Sequence, residues 1–196
     1  MKIHLNELTE IQTGYPFRGA IIPRTDGGGT AVIQMSDLGD LLSPRLDQLC
    51  RVELDRIRPG HLIEEDDVIF RSRGNSPSGF WIREVFGPCV VAAPLLRIRA
   101  KSNVLHPGYL AWFLRQPAAQ SHFELNSQGS SLRMVGKEAL ESLFVPIIPI
   151  DLQRKIAELV ELIELENSLV QRLLSLRNAS INRILNHRIG EGNHDK

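Results

Sequence analysis

The chain has 196 residues, with 23 Lys and Arg against 23 Asp and Glu, so its formal charge at neutral pH is zero. A hydrophobic content of 42% and a charged content of 23% belong to a globular chain with one sizeable core, which excludes fibrous and long disordered classes. Zero net charge also argues against a general nucleic-acid coat, which needs a strong basic excess.

Two cysteines, Cys50 and Cys89, without C-x-x-C spacing, exclude a disulfide framework and read as reduced thiols. No apolar h-region follows Met1, and no apolar stretch approaches the ~20 residues of a membrane span, so a soluble cytoplasmic protein is expected.

In chain order, residues 5–11 read as a short helix or turn. Residues 31–35, 67–71, 80–85 and 89–99 are strand candidates, rich in Val, Ile and Phe and bounded by Gly, Pro and Asp. Residues 14–19, 26–29 and 73–79 carry the Gly, Pro and Ser of loops. Pro107 and Pro117 each suit the first turn of a helix, giving helices over 107–114 and 117–126. Tyr109, Trp112 and Phe113 on the first are expected in the core. Residues 1–150 therefore read as an α+β (mixed α/β) domain.

At Pro146-Ile147-Ile148-Pro149 the chain changes character, because two prolines hold it extended. Asp151 then stands at an N-cap position. From there to Ile189 there is no Gly or Pro, and Leu152, Ile156, Leu159, Ile163, Val170, Leu173 and Ile184 recur at helical spacing. A second row of Leu162, Leu165, Leu169 and Leu176 widens the stripe. The pattern predicts one helix of roughly 38 residues, about 57 Å long, over 151–190, followed by a polar tail at 191–196. Such a stripe needs a partner.

The zero charge arises by cancellation. Residues 1–70 hold 7 bases and 12 acids, while residues 71–137 hold 9 bases and 2 acids, net +7. Of the 23 bases, 18 are arginine, whose planar fork suits guanine edges and phosphate, so a basic functional face is expected in the middle of the chain. Along the helix, Glu158, Glu161, Glu164 and Glu166 precede Arg172, Arg177, Arg183 and Arg188. Two parallel copies would set acid on acid; antiparallel copies set acid on base, so an antiparallel helix pair is favoured.

Catalytic constellations are missing. The six histidines are scattered without metal-ligand spacing. Gly27-Gly28-Gly29-Thr30 lacks the lysine and glycine spacing of a phosphate loop. Glu64-Glu65-Asp66-Asp67 reads as a solvated turn before a strand. No catalytic residue, metal or cofactor is expected.

The order of motifs resembles one half of a type I restriction–modification specificity subunit. Leu5-x-x-Leu8-x-x-Ile11-x-x-Gly14-x-Pro16-Phe17-Arg18-Gly19 is similar to that family's opening segment, and Val32-Ile33-Gln34-Met35-Ser36-Asp37-Leu38 to its first strand. Asp67-Val68-Ile69-Phe70-Arg71-Ser72-Arg73-Gly74 resembles the family's GDxxFxxxG element, with Asp66 where Gly is usual. His106-Pro107-x-Tyr109-Leu110-x-x-Phe113-Leu114 resembles its YLxxxL helix. Gln128-Gly129-Ser130-Ser131 through Val145-Pro146-x-x-Pro149 and Gln153-Arg154-Lys155-Ile156-Ala157 resembles the run from recognition domain into conserved helix, with Leu152 where Glu often precedes the Gln.

The resemblance implies one target-recognition domain over 1–150 and one spacer helix that pairs as an antiparallel coiled coil, here with a second copy as a homodimer or with another chain. It implies a non-catalytic subunit that binds double-stranded DNA and methyltransferase (modification) subunits, with a restriction translocase–nuclease subunit as a further partner. The DNA-contact candidates are Arg18, Arg71, Arg73, Asn75, Gln128, Ser130, Ser131, Arg133 and Lys137. The alternative is a specificity-like adaptor or decoy that engages these partners through its helix without reading DNA. With zero net charge, the chain alone should bind DNA weakly and with a shallow salt dependence.

Overall fold

The strand runs of the sequence find their partners at long range, giving two larger sheets and one two-stranded ribbon. The computed structural model describes residues 1–24, 27–39, 46, 49–54, 56–73, 77–127 and 134–191. In chain order these form β1 (Lys2–His4), α1 (Leu5–Leu8), β2 (Thr9–Thr13), β3 (Thr30–Ile33), β4 (Cys50–Val52), β5 (Val68–Arg71), β6 (Ser78–Trp81), β7 (Cys89–Val91) and β8 (Leu96–Ala100). Then come α2 (Pro107–Phe113), α3 (Pro117–Asn126), α4 (Lys137–Glu141), β9 (Phe144–Pro146) and α5 (Ile150–Glu191). The class is α+β with a long C-terminal helix.

Strands β2-β8-β5-β6 make an antiparallel sheet, and β4-β3-β7 a second one in which β3 and β7 run parallel. A ribbon of β1 and β9 ties the start of the chain to the residues before α5. Alternation along the strands builds the core. Ile69 and Phe80 of the first sheet pack with Ala31, Ile33, Cys89 and Val91 of the second. Val68, Phe70 and Ile98 alternate with them, and Phe70 meets the Phe123 ring of α3 at 5.3 Å. Tyr109 and Phe113 are buried, as expected of core residues, while Trp112 is half-buried.

Several boundaries differ from the sequence pattern; the 31–35 run, for one, is β3 at Thr30–Ile33 with Met35 in a 3-10 turn. The 5–11 segment is a single helical turn followed by β2, whose pairing with β8 outweighs local propensity. The 80–85 run is shifted: β6 starts at Ser78 and ends at Trp81, so residues 82–85 lie outside the strand. Gly79 is required there because a Cβ would stand 2.8 Å from Leu114 Cδ1 and 3.0 Å from Ala111 Cα. The 89–99 run is two strands, β7 and β8, divided by a turn over 92–95 that contains Pro94.

The acidic first third and the basic middle are partners in this fold. Arg97, only 1% exposed, reaches Glu10 with Nη2 at 2.6 Å. Arg99 clamps the buried Asp67 carboxylate with Nε and Nη2 at 2.7 and 2.8 Å, and its Nη1 meets Glu64 at 2.7 Å. The Asp67 hydrogen bonds hold the Arg99 pKa above its ordinary value, against the effect of burial. The +7 stretch is therefore no continuous basic face: its arginines on β8 neutralise acids brought from the first 70 residues.

Asp66 lies in the left-handed region at φ 68°, which favours glycine, and its Oδ1 accepts from the Trp81 indole N–H at 3.0 Å. This conformation gives a physical reason for a glycine preference at that motif position. Asp67 opens the strand as a buried acceptor, not as part of a solvated turn.

The chain forms two compact units, Met1–Glu158 and Leu159–Lys196. Helix α5 begins at Ile150, one residue before Asp151, so the N-cap position falls on Pro149 and Asp151 lies in the first turn, paired with Arg154 at 3.3 Å. Its first turns belong to the first unit. Gln153 is fully buried; its Oε1 accepts from the His106 N–H at 2.9 Å, and its Nε2 donates to the carbonyls of Val104 at 2.9 Å and Ile148 at 2.8 Å. Ala157 packs so closely on α2 that a Cβ at Gly108 would stand 2.8 Å from both the Ala157 methyl and the Trp81 ring. In the second unit the helix is exposed, Leu159 at 58% and Leu173 at 67%. Among the described residues no helix is long and apolar enough to cross a membrane.

His106 caps α2, its Nδ1 accepting from the Gly108 N–H at 3.2 Å. Burial holds its pKa below the ordinary value; the Asp66 and Glu158 carboxylates oppose that, and Arg154 adds to it. The unfolded chain thus takes up this proton first as pH falls, so stability is lost as pH drops through the ordinary histidine pKa of about 6.5. Denaturant midpoints at pH 7.5 and 5.5 should differ less in His106→Asn, which keeps an acceptor for Gly108, than in the unsubstituted chain.

Candidate nucleic-acid interface

Sheet register gathers distant loops at one end. Thr13 at the end of β2 and Phe70 near the end of β5 both pair with Leu96 at the start of β8, and Arg71 pairs with Ser78 at the start of β6. The segments leaving β2, entering β8, leaving β5 and entering β6 therefore emerge from the same edge. These segments carry Arg18 and Arg73 of the candidate list, with Arg71 at the strand end.

The turn over 92–95 links them. Gly14 N–H donates to Leu95 O at 2.8 Å and Ala93 N–H to Tyr15 O at 3.0 Å, while Ser72 Oγ donates to Pro94 O at 3.1 Å. On the other side of β5, Val135 N–H donates to Ser72 O at 3.0 Å, so the chain entering α4 docks at the same end. Gly14 is needed at this crossing, since a Cβ would come within 2.7 Å of Val91 O. The turn escaped the sequence reading; its signal was Pro94 inside an apolar run, which no central strand accommodates.

The candidates fall into three groups. Arg18 is exposed beside Gly19, whose φ is 114°, and Arg73 is exposed with its Nε donating to Met134 Sδ at 3.2 Å. Arg71 is half-buried: its Nη1 donates to Leu38 O at 3.0 Å, and its guanidinium lies 5.3 Å from the Phe80 ring centroid. That commits it to holding residues 38–39 against β5. Lys137, at the start of α4, pairs with Glu141 at 3.5 Å and lines a surface groove of about 550 Å³ with Asn126, Gly136 and Ser142. Asn75, Gln128, Ser130, Ser131 and Arg133 lie outside the described residues.

Among the described residues there is no group of three His, Cys, Asp or Glu that could hold a metal. Burial pushes the Cys89 thiol up to about 12, so Cys89 itself is a thiol near neutral pH.

The mixed α+β domain that continues into a long helix has a fold like that of type I restriction–modification specificity subunits. No protein-family model matches the chain, and no curated protein matches it. Among solved structures, the HsdS subunit from Thermoanaerobacter tengcongensis is similar with a TM-score of 0.56 and 20% identity, over 88% of this chain and 39% of that one. A chain of a type I R-M system, solved for complex assembly and conformational transition, gives 0.60 and 20% over 94% and 43%. The Type-I restriction-modification system S subunit from M. genitalium gives 0.58 and 13% over 91% and 42%. The likeness is one of fold, and this chain spans about two fifths of the length of those it matches. It is the resemblance that the sequence motifs carry.

Proposed function

We propose that this chain reads one half of a bipartite DNA target for a type I restriction–modification complex, in the cytoplasm and without chemistry of its own. The observation that supports it best is the shared fold across both the domain and the start of the long helix. In this reading the converging loops meet the duplex. Arg18 and Arg73 are its described contacts, Lys137 flanks them, and Asn75, Gln128, Ser130, Ser131 and Arg133 are candidates from the sequence. Phosphate contacts set register and base-edge contacts specify sequence. Modification methyltransferase subunits dock on the assembly and supply S-adenosylmethionine and base flipping, and a translocase–nuclease subunit joins the same complex. A second copy, paired antiparallel through α5, presents the second recognition domain, so the target is an inverted repeat.

Arg73→Ala tests the reading. In the complex with a modification methyltransferase it is expected to lose about 1–3 kcal/mol of target discrimination, with folding unchanged. Unaltered sequence preference in a methylation or binding assay would remove Arg73 from the interface.

One observation favours the adaptor reading. Arg97, Arg99 and Arg71 are engaged inside the domain, and Arg115 donates to Gly79 O at 3.2 Å, which leaves less basic surface than the charge count suggests. An adaptor would bind the methyltransferase subunit and leave its DNA affinity unchanged or lower. A recognition subunit would confer sequence-dependent affinity on it.

A further inference from the structure

The apolar row on α5 has gaps, and the gaps carry charge. Leu152, Ile156, Leu159, Ile163, Val170, Leu173 and Ile184 follow an alternating spacing of four and three, and the positions that complete it are Glu166, Arg177 and Ser180. All of these from Leu159 to Ile184 are exposed, with Ile163 and Val170 at 47% and Ile184 at 60%. The helix thus presents a heptad seam with one acid and one base in line with its apolar residues.

We infer that α5 pairs with a second copy of itself in a single antiparallel register, set by reciprocal Glu166–Arg177 ion pairs within the seam. The inference rests on the self-pairing proposed above and adds its register. Reversing one helix brings the four-residue steps of one copy level with those of the other, so seam positions pair about a two-fold axis. With the axis between Gln171 and Arg172, Val170 lies level with Leu173 of the second copy, Glu166 with Arg177, Ile163 with Ser180 and Leu159 with Ile184. Both charges in the seam are then answered, twice by symmetry.

The neighbouring arrangements fail on the same residues. Sliding by one heptad sets Glu166 level with Val170 or Ile184, and Arg177 level with Leu159 or Leu173, leaving charges against apolar side chains. A parallel pair in register sets Glu166 on Glu166 and Arg177 on Arg177. A polar pair in an apolar seam selects register and orientation in this way because every other pairing leaves it unmet.

Sedimentation equilibrium of the full chain tests this. Glu166→Arg and Arg177→Glu should each weaken self-association by about tenfold or more, since each sets like charges together in the seam. The double swap should restore association to within about threefold of the unsubstituted chain. An equimolar mixture of the two single variants should associate as well as the unsubstituted chain, because in the mixed pair each charge meets its opposite. Both positions are exposed on the helix, and circular dichroism verifies that the variants fold. Single variants that dimerise like the unsubstituted chain, or a mixture that does not recover, would overturn the register while leaving self-pairing in place. An unsubstituted chain that stays monomeric at about 50 µM would overturn self-pairing and the register with it.

Discussion

Replacing Asp67 with alanine is expected to lower the free energy of unfolding by about 3 kcal/mol, enough to exhaust a large part of a typical domain's stability. Asp67 has no solvent exposure, and its carboxylate accepts from the Glu64 N–H at 2.8 Å and from two guanidinium nitrogens of Arg99. Without it, a backbone donor loses its partner and Arg99 keeps only the solvent-exposed Glu64 carboxylate and the Leu62 carbonyl, at 3.1 Å from its Nη2. Glu64→Ala is the contrast: an exposed pair is worth about 1 kcal/mol or less. Urea midpoints followed by circular dichroism should separate the two variants clearly. Equal, small effects would mean that the Asp67–Arg99 clamp does not hold the acidic turn to β8.

Gln153→Ala should cost about 2–4 kcal/mol, because one buried backbone N–H and two carbonyls lose their partner together. Those groups belong to Val104, His106 and Ile148, which flank the entry into α2 and the approach to α5. The loss should fall on the junction: amide exchange should accelerate at residues 104–108 and 148–153, while the exposed part of α5 keeps its helicity. Gln153→Glu retains the acceptor for His106 but turns repulsion on two carbonyls, so it should destabilise at least as much at pH 7 and recover in part as the carboxyl is protonated. Unchanged exchange at the junction in Gln153→Ala would show that packing of Ala157 on Gly108 and Trp81 suffices to seat the helix.

These two residues also mark where sequence reading stops. Gln153 stood in a motif, but nothing local shows that its amide bridges three backbone groups from two other segments. Asp67 looked like the last of four solvated acids, and its burial, with the Glu64 N–H and the Nε and Nη2 of Arg99 on its carboxylate, is what distinguishes it from Glu64 and Glu65. The basic stretch misled for the same reason. Counting charge along the chain cannot tell an arginine facing solvent from Arg97, which pairs with an acid 87 positions away. The candidate interface was legible as a set of loops, since glycine, proline and serine mark them. Their convergence was not, because it follows from the β2-β8-β5-β6 register.

The sequence by itself determined the long helix to within a few residues, the two proline-initiated helices, the α+β class and the resemblance to a specificity subunit. Those rest on short-range periodicity, on proline's fixed φ and on motif order, all of which are local. It also carries the Glu166 and Arg177 interruptions of the seam, which are a matter of spacing along one helix. Only the tertiary structure decided which partners β7 and β8 take, that Arg97 and Arg99 of the basic stretch pair with acids of the first seventy residues, and which arginines remain at the surface. Those depend on pairings between residues tens of positions apart, whose energies arise only when the sheets close and water leaves the space between them.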